Sequence, residues 1–213
     1  MVYYLETKST DPYYNLAFEE YVLTHRTEGD YLLLWQNDNT VVVGRNQNTA
    51  EEINADFVEK HRINVVRRST GGGAVYHDMG NLNYSFITDA GEKEELSFAR
   101  FTQPVVKALC DLGLPASASG RNDILVGDCK VSGTAQRLAG DRILHHGTLL
   151  FDSDPSMVAG ALAVRPEKFQ SKSAKSVRAR IGNIRGFLRE DMTLATFWDY
   201  LRTALAPVSY THL

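Results

Sequence analysis

Apolar positions along the 213-residue chain recur with two periods that give way to one another from segment to segment. Asp11-Pro12 predicts a helix start: the aspartate can accept from the first free N–H groups, and proline at the first turn loses no hydrogen bond. Residues 13–25 follow as a helix, with Leu16, Ala17, Tyr21 and Leu23 expected on its inward side. Residues 31–35 and 40–43 are compact β runs joined by the polar turn Gln36-Asn37-Asp38-Asn39. Residues 50–61 read as a second helix. Residues 82–87 alternate apolar and polar as a half-buried strand does, and 96–112 return to helical spacing. Short strands at 124–126, 129–134 and 143–151 complete the pattern, with hairpin turns at Val126-Gly127-Asp128 and Ala139-Gly140-Asp141. Helix and strand mix without a regular βαβ period, which predicts an α+β domain built on a mixed sheet flanked by helices. Neither an internal repeat nor a linker interrupts it.

Composition narrows the picture only slightly. With 43% hydrophobic and 23% charged residues the chain reads as one soluble globular domain, long enough to bury a substantial core. A net charge of −3 argues against a general nucleic-acid binder. No apolar run reaches the roughly 20 residues a spanning helix needs, and residues 1–10 carry no apolar signal core, so no membrane partner and a cytoplasmic location are expected. Cys110 and Cys129 fit neither a metal spacing nor a disulfide framework.

The chemistry concentrates in three stretches. In Arg67-Arg68-Ser69-Thr70-Gly71-Gly72-Gly73-Ala74-Val75-Tyr76-His77-Asp78, three consecutive glycines follow a β-branched run. Such glycines are kept where a ligand approaches the main chain or where φ must be positive. With two arginines upstream, Gly71, Gly72 and Gly73 read as a backbone cradle for a phosphate or carboxylate. The residues alone leave His77 open between a polar wall and a core position. The second stretch spans 120–151. Lys130 sits in a β run, where its ammonium can offer a point charge to an oxyanion, although an edge-strand lysine has the same spacing. Cys129 must face away from Lys130, and His145 and His146 must face opposite sides, so at most one histidine shares a site with Lys130. Asp123, beside Arg121 and Asn122, reads as a contact to a nucleotide amine or ribose, or as a holder of Mg²⁺. The third stretch, 168–189, carries a run of basic residues that includes Arg178 and Arg180 and reads as a loop able to close on a phosphate-bearing ligand.

In that order, the segments RRSTGGGAVYHDMGNLNYSF, GRNDI, KVSGTAQR, HHGTLLF and SVRARIGNI resemble the lipoate–protein ligase A and lipoyltransferase family, and DPYYNLAFEEYVL and VVVGRNQNTAEEIN match its N-terminal pattern. The resemblance covers roughly residues 3–205. It implies the biotin/lipoate protein ligase catalytic fold, which is class II synthetase-like. It also implies a two-step reaction: lipoate and ATP, with Mg²⁺, give lipoyl-AMP, and the lipoyl group then passes to a lysine of an acceptor lipoyl domain. Acceptors of this kind are the E2 subunits of 2-oxoacid dehydrogenases and the glycine cleavage H protein. Carried onto this chain, the family's nucleotide and lipoyl contacts fall on Arg68 and on Gly73, Ala74, Val75 and Tyr76. The lysine that touches both lipoyl carbonyl and adenylate phosphate falls on Lys130. Asn83, Asp123 and His146 match further pocket positions, and 171–183 matches the adenylate-binding loop. An apolar tunnel for the lipoyl tail is expected around Val75, Tyr76 and Leu149. Residues 1–207 correspond to the catalytic domain without the accessory domain that commonly follows, and residues 208–213 read as a non-native tail. Three other readings stand beside this one: an octanoyl or lipoyl transferase with a cysteine nucleophile, a biotin ligase, and a non-catalytic binding module.

Overall fold

The computed structural model describes residues 2–91, 97–120, 122–162 and 181–206. Among the described residues, ten strands and six helices follow in chain order: β1 (Val2–Leu5), α1 (Pro12–His25), β2 (Asp30–Trp35), β3 (Thr40–Val43), α2 (Thr49–Glu52), α3 (Ala55–Lys60), β4 (Asn64–Arg67), β5 (Val75–His77), β6 (Asn81–Asp89), α4 (Phe98–Asp111), β7 (Ala116–Ser119), β8 (Asp123–Val126), β9 (Cys129–Ala139), β10 (Arg142–Leu150), α5 (Pro155–Ala161) and α6 (Leu194–Leu205). A 3₁₀ turn, Ile184–Phe187, precedes α6. Seven strands form one sheet in the order β1-β2-β6-β10-β9-β8-β7, and β4-β3-β5 form a second. In the large sheet only β1/β2 is parallel; the remaining pairs are antiparallel. The two runs joined by the turn at 36–39 therefore do not make a hairpin, because β2 enters the large sheet and β3 the small one.

One face of the large sheet carries the main core. Leu82, Tyr84, Phe86, Ile143, Leu149, Ile124 and Val131 pack there against Phe101, Val105 and Leu109 of α4 and Phe197, Leu201 and Leu205 of α6. Each such side chain, fully buried, contributes roughly 1.5–3 kcal/mol. On the opposite face, α1 covers the β1/β2 end through Val22 and Leu23 against Tyr31, Leu33, Trp35, Ile87 and Leu144. The outer face of the small sheet is closed by α3 and α5, with Val41, Val43, Tyr76, Val58 and Ala161 in contact.

Several expectations need correction. The buried side of α1 is Asn15, Glu19, Val22 and Leu23, with half-buried Leu16 turned inward beside them, while Ala17 and Tyr21 are exposed. A 3.6-residue period seen through apolar residues alone misses a helix whose buried face is half polar. Residues 50–61 are two short helices and not one: Ile53 bridges to Leu162, and the Asn54 side chain accepts from Phe57 N to start α3. The strand at 82–87 is not half-buried, since every residue of β6 up to Thr88 is buried on both faces. Its polar alternates face a second layer inside the protein and not solvent.

Candidate active site

That second layer lies between the pocket face of the large sheet and the inner side of the small one. It encloses a cavity of about 160 Å³ lined by Leu16, Trp35, Val42, Arg68, Gly72, Gly73, Ala74, Val75, His77, Asn83, Asn122, Lys130, Gly133, Thr134, Ala135, His146, Gly147 and Thr148. Strand alternation selects the lining. In β5, Val75 and His77 face the cavity; Tyr76 faces the other way and donates its hydroxyl to Asn39 Oδ1 at 2.9 Å. In β10, His146 and Thr148 line the cavity, whereas Leu149 belongs to the α4 core. The expected tunnel therefore keeps Val75 but loses Tyr76 and Leu149, and its apolar wall is completed by Leu16, Trp35, Val42 and Ala74.

Lys130 reaches the cavity through an irregularity in β9. The ladder with β8 pairs Ile124 with Ser132 but Leu125 with Lys130, so Val131 is an extra residue, a β-bulge. Lys130 and Gly133 consequently share one face despite their odd spacing; a Cβ on Gly133 would stand 3.3 Å from Lys130 Nζ. Lys130 Nζ pairs with Asp123 Oδ1 at 2.7 Å, both side chains about one-third exposed. Asp123 is thus held at the lysine. Cys129 faces away from Lys130, as alternation requires, and both cysteines are free.

Both arginines are engaged by the chain itself. Arg67 donates to the carbonyls of Gly44 and Gln47 at 2.7 and 2.8 Å and to Thr49 Oγ1 at 2.7 Å. Buried Arg68 donates from Nη2 to Gly71 O at 2.7 Å and Gly73 O at 2.8 Å, from Nη1 to Val42 O at 3.2 Å, and from Nε to Thr70 Oγ1 at 3.0 Å. Its guanidinium organises the glycine loop from behind. Burial pulls the Arg68 pKa down to about 10, against the charge of Glu19, which pushes it up. The three glycines differ from one another. Gly72 alone has a positive φ, +96°, and a Cβ there would stand 2.9 Å from Arg68 Nη2. A Cβ on Gly73 meets nothing within 4 Å. Gly71 lies outside the lining, its carbonyl engaged by Arg68. Gly44, not singled out in the sequence, is required by the fold: its Cβ would lie 2.2 Å from Gly72 O.

His146 joins the loop to α1. Its Nε2 lies 2.8 Å from Thr70 Oγ1, and its Nδ1 lies 2.9 Å and 3.1 Å from the two oxygens of the buried Glu19. His145, one residue earlier, stacks on Phe101 on the other face of the sheet, its centroid 4.9 Å away. Among the described residues, two buried polar atoms of cavity residues have no hydrogen-bond partner, His77 Nε2 and Asn83 Nδ2. Such atoms are costly unless a ligand or water satisfies them. Burial, with Arg68 and His146 adding to it, pulls the His77 pKa down to about 3, so the ring is neutral and able to hydrogen-bond a ligand. Arg121, Arg178, Arg180 and the rest of 163–180 lie outside the described residues. Just beyond them, Ile181 bridges to Lys130 and Gly182 N donates to Lys130 O at 3.0 Å, so the chain resumes alongside the lysine's strand.

Comparison with known proteins assigns the chain to a family. The model of the lipoyl protein ligase A/B catalytic domain matches residues 11–206. The chain belongs to that family. It is 50% identical over 192 residues to lipoate-protein ligase LplJ of Bacillus subtilis, an alignment covering 90% of this chain and 58% of that protein. The chain thus spans little more than half the length of this curated relative. Among solved structures, the bipartite lipoate protein ligase of Thermoplasma acidophilum, described with its E2 lipoyl domain, superposes with a TM-score of 0.84 at 30% identity, over 98% of this chain and 83% of that one. A lipoate-protein ligase A bound with ATP gives 0.83 at 26% identity, over 98% and 85%. The family fold is the mixed sheet with flanking helices read from the sequence. Sequence reasoning did not single out Glu19, Thr70, Trp35 or Thr148. Glu19 is visible only as a carboxylate in the middle of a helix, and its inward direction depends on the polar stripe it shares with Asn15.

Proposed function

We propose that this chain activates lipoate with ATP to lipoyl-AMP and transfers the lipoyl group to a lysine of an acceptor lipoyl domain. The observation that carries the reading is Lys130, held by the bulge on the cavity face opposite Gly72 and Gly73. In the first step the lipoate carboxylate attacks the α-phosphorus and pyrophosphate leaves. Two anions approach one another, and a fixed ammonium between them lowers the barrier electrostatically. In the second step the acceptor's ε-amine attacks the lipoyl carbonyl and AMP departs. Gly72, Gly73 and Ala74 would flank the ligand along its backbone, while His77 Nε2 and Asn83 Nδ2 would supply the hydrogen bonds that these atoms lack within the protein. Leu16, Trp35, Val42 and Val75 would enclose the apolar tail. Mg²⁺ would neutralise the triphosphate, with Asp123 as its candidate carboxylate; among the described residues no group of three or more His, Cys, Asp or Glu side chains forms a metal site. Arg178 and Arg180 would act in the adenylate-binding loop. The acceptors are E2 lipoyl domains and the glycine cleavage H protein, and the compartment is the cytoplasm. Among the described residues no helix is long and apolar enough to cross a membrane.

Lipoate-dependent exchange of pyrophosphate into ATP tests the first step directly, and its absence would remove adenylation from this chain. The cysteine-transferase reading is disfavoured because Cys110 and Cys129 lie outside the cavity lining. Cys110→Ser and Cys129→Ser are each expected to keep transfer from synthetic lipoyl-AMP; loss of transfer in either would revive that reading.

A further inference from the structure

Trp35 and Arg68 can only donate hydrogen bonds and an ionised carboxylate can only accept them, and together these groups orient the buried chain that runs from Trp35 through Glu19 to Arg68. Trp35 Nε1–H donates to Ser85 Oγ at 2.9 Å, so the Ser85 hydroxyl donates onward to Glu19 Oε1 at 2.5 Å. From the other end, Arg68 Nε–H donates to Thr70 Oγ1 at 3.0 Å, and the Thr70 hydroxyl lies 2.8 Å from His146 Nε2 with its own proton available to that nitrogen. The Glu19 carboxylate accepts only, so the proton of His146 belongs on Nδ1, 2.9 Å from it, and Nε2 of the neutral ring accepts from Thr70. Each of these five side chains other than Trp35 is buried and polar, and the links join α1, β6, β10 and the loop ahead of β5.

From this directed chain we propose that Glu19 is a positioning residue, which selects the His146 tautomer, orients the Thr70 hydroxyl and thereby aims Arg68 at the Gly71 and Gly73 carbonyls, fixing the ligand-binding shape of the glycine loop. Glu19 is absent from the cavity lining, so its effect on a ligand is indirect. It also supplies the opposite charge that a buried guanidinium needs, without touching it. The inference rests on the proposed function only in its choice of ligand, because the tautomer can be read without one.

The test has a spectroscopic arm and a binding arm. In the intact protein, ¹⁵N NMR of the His146 ring should show the Nδ1–H tautomer. In Glu19→Gln the carboxamide can donate to Nδ1, which moves the proton to Nε2. Binding of a non-hydrolysable lipoyl-adenylate analogue, measured by calorimetry, should weaken at least tenfold in Glu19→Gln. Thr70→Val should weaken it comparably and Thr70→Ser should restore it to within about twofold, since serine keeps the hydroxyl. The double variant Glu19→Gln with Thr70→Val should bind no more than about twofold more weakly than Thr70→Val alone, because the relay is already cut. An Nε2–H or doubly protonated His146 in the parent would overturn the proposal, as would additive losses in the double variant or a Thr70→Val protein of parental affinity. Should Glu19→Gln fail to fold, the Thr70 pair and the parent spectrum still decide. A parent protein that does not bind the analogue at all would count against the proposed function, and the spectrum would still judge the relay.

Discussion

The two faces of the large sheet are made by the same strands and do opposite things. On the α4/α6 face, Leu82, Tyr84, Phe86, Ile143 and Leu149 meet other apolar groups; on the cavity face, Asn83, Ser85, His146 and Thr148 sit between them in sequence and are nearly as well buried. Adjacent His145 and His146 show the contrast at one step of the chain, one stacked on Phe101 and the other holding Glu19 and Thr70. Burial alone therefore does not separate core from site. Nor does pairing alone, since among the described residues unpartnered buried atoms occur on both faces, His145 Nε2 at the core and His77 Nε2 and Asn83 Nδ2 at the cavity; what distinguishes the second set is that its residues line a cavity.

The sharpest way to break this comparison is Lys130→Ala. Lipoyl-AMP formation should fall by 10³-fold or more, about 4 kcal/mol of transition-state stabilisation. The melting temperature should hardly move, since the partly exposed pair with Asp123 contributes at most about 1 kcal/mol. Synthesis near the parental rate would take the lysine out of the mechanism. The mirror-image variant is Leu82→Ala on the core face, expected to lower stability by about 2–5 kcal/mol in denaturant titration while the protein that remains folded binds ligand normally. A large affinity change there would mean that the two faces are not independent.

The glycine loop sharpens the contrast at smaller scale. Gly73→Val should weaken calorimetric binding of the lipoyl-adenylate analogue about tenfold, or about 1.4 kcal/mol, with thermal stability unchanged, since the added atoms enter open space. Gly72→Val should instead lose about 1–3 kcal/mol of stability from its positive φ and its approach to Arg68. Equal stability losses in the two variants would show that the loop is only a turn.

A further difference is one of slope. Burial holds His145 and His77 near pKa 3, below the ordinary value of 6.5, so between those values the unfolded chain binds protons that the folded protein does not. Stability is then full above about pH 6.5 and declines as pH falls toward 3, by up to about 1.4 kcal/mol per pH unit for each group. His145→Phe should flatten that decline in urea titrations across the interval. A decline as steep as the parent's would mean that His145 is protonated in the fold.

Much of this was legible in the chain because it is local. The Asp11-Pro12 cap, the hairpins at 127 and 140, the glycine loop and the opposed directions of His145 and His146 follow from turn chemistry and alternation. What was hidden depends on long-range pairing. The bonds of Arg67 and Arg68 to the chain's own carbonyls were hidden because a guanidinium next to glycines suits an external anion and the chain's carbonyls equally well in sequence. Tyr76 and Leu149 lie next to lining residues in sequence, and without the register of β5 and β10 their side could not be assigned. Glu19 was invisible for a related reason: its partners lie 66 and 127 residues away.

The extra residue at Val131 makes β9 a strand with two phases. Before it, the even-numbered Lys130 looks into the cavity; after it, odd-numbered Gly133, Ala135 and Arg137 share that side, with Arg137 reaching Glu20 of α1. Substitutions can be absorbed one at a time along such a strand, but changes of length cannot. Losing or gaining a single residue between Lys130 and Gly133 would exchange inside for outside over half the strand, sending the ammonium into the α4 core or the 133–137 face out of the cavity. At the turns around Gly127 and Gly140, a change of length would leave both phases intact. In this chain, tolerance to insertion and deletion is therefore set by position relative to one bulge, and two neighbouring segments of one β-hairpin should diverge in length at very different rates.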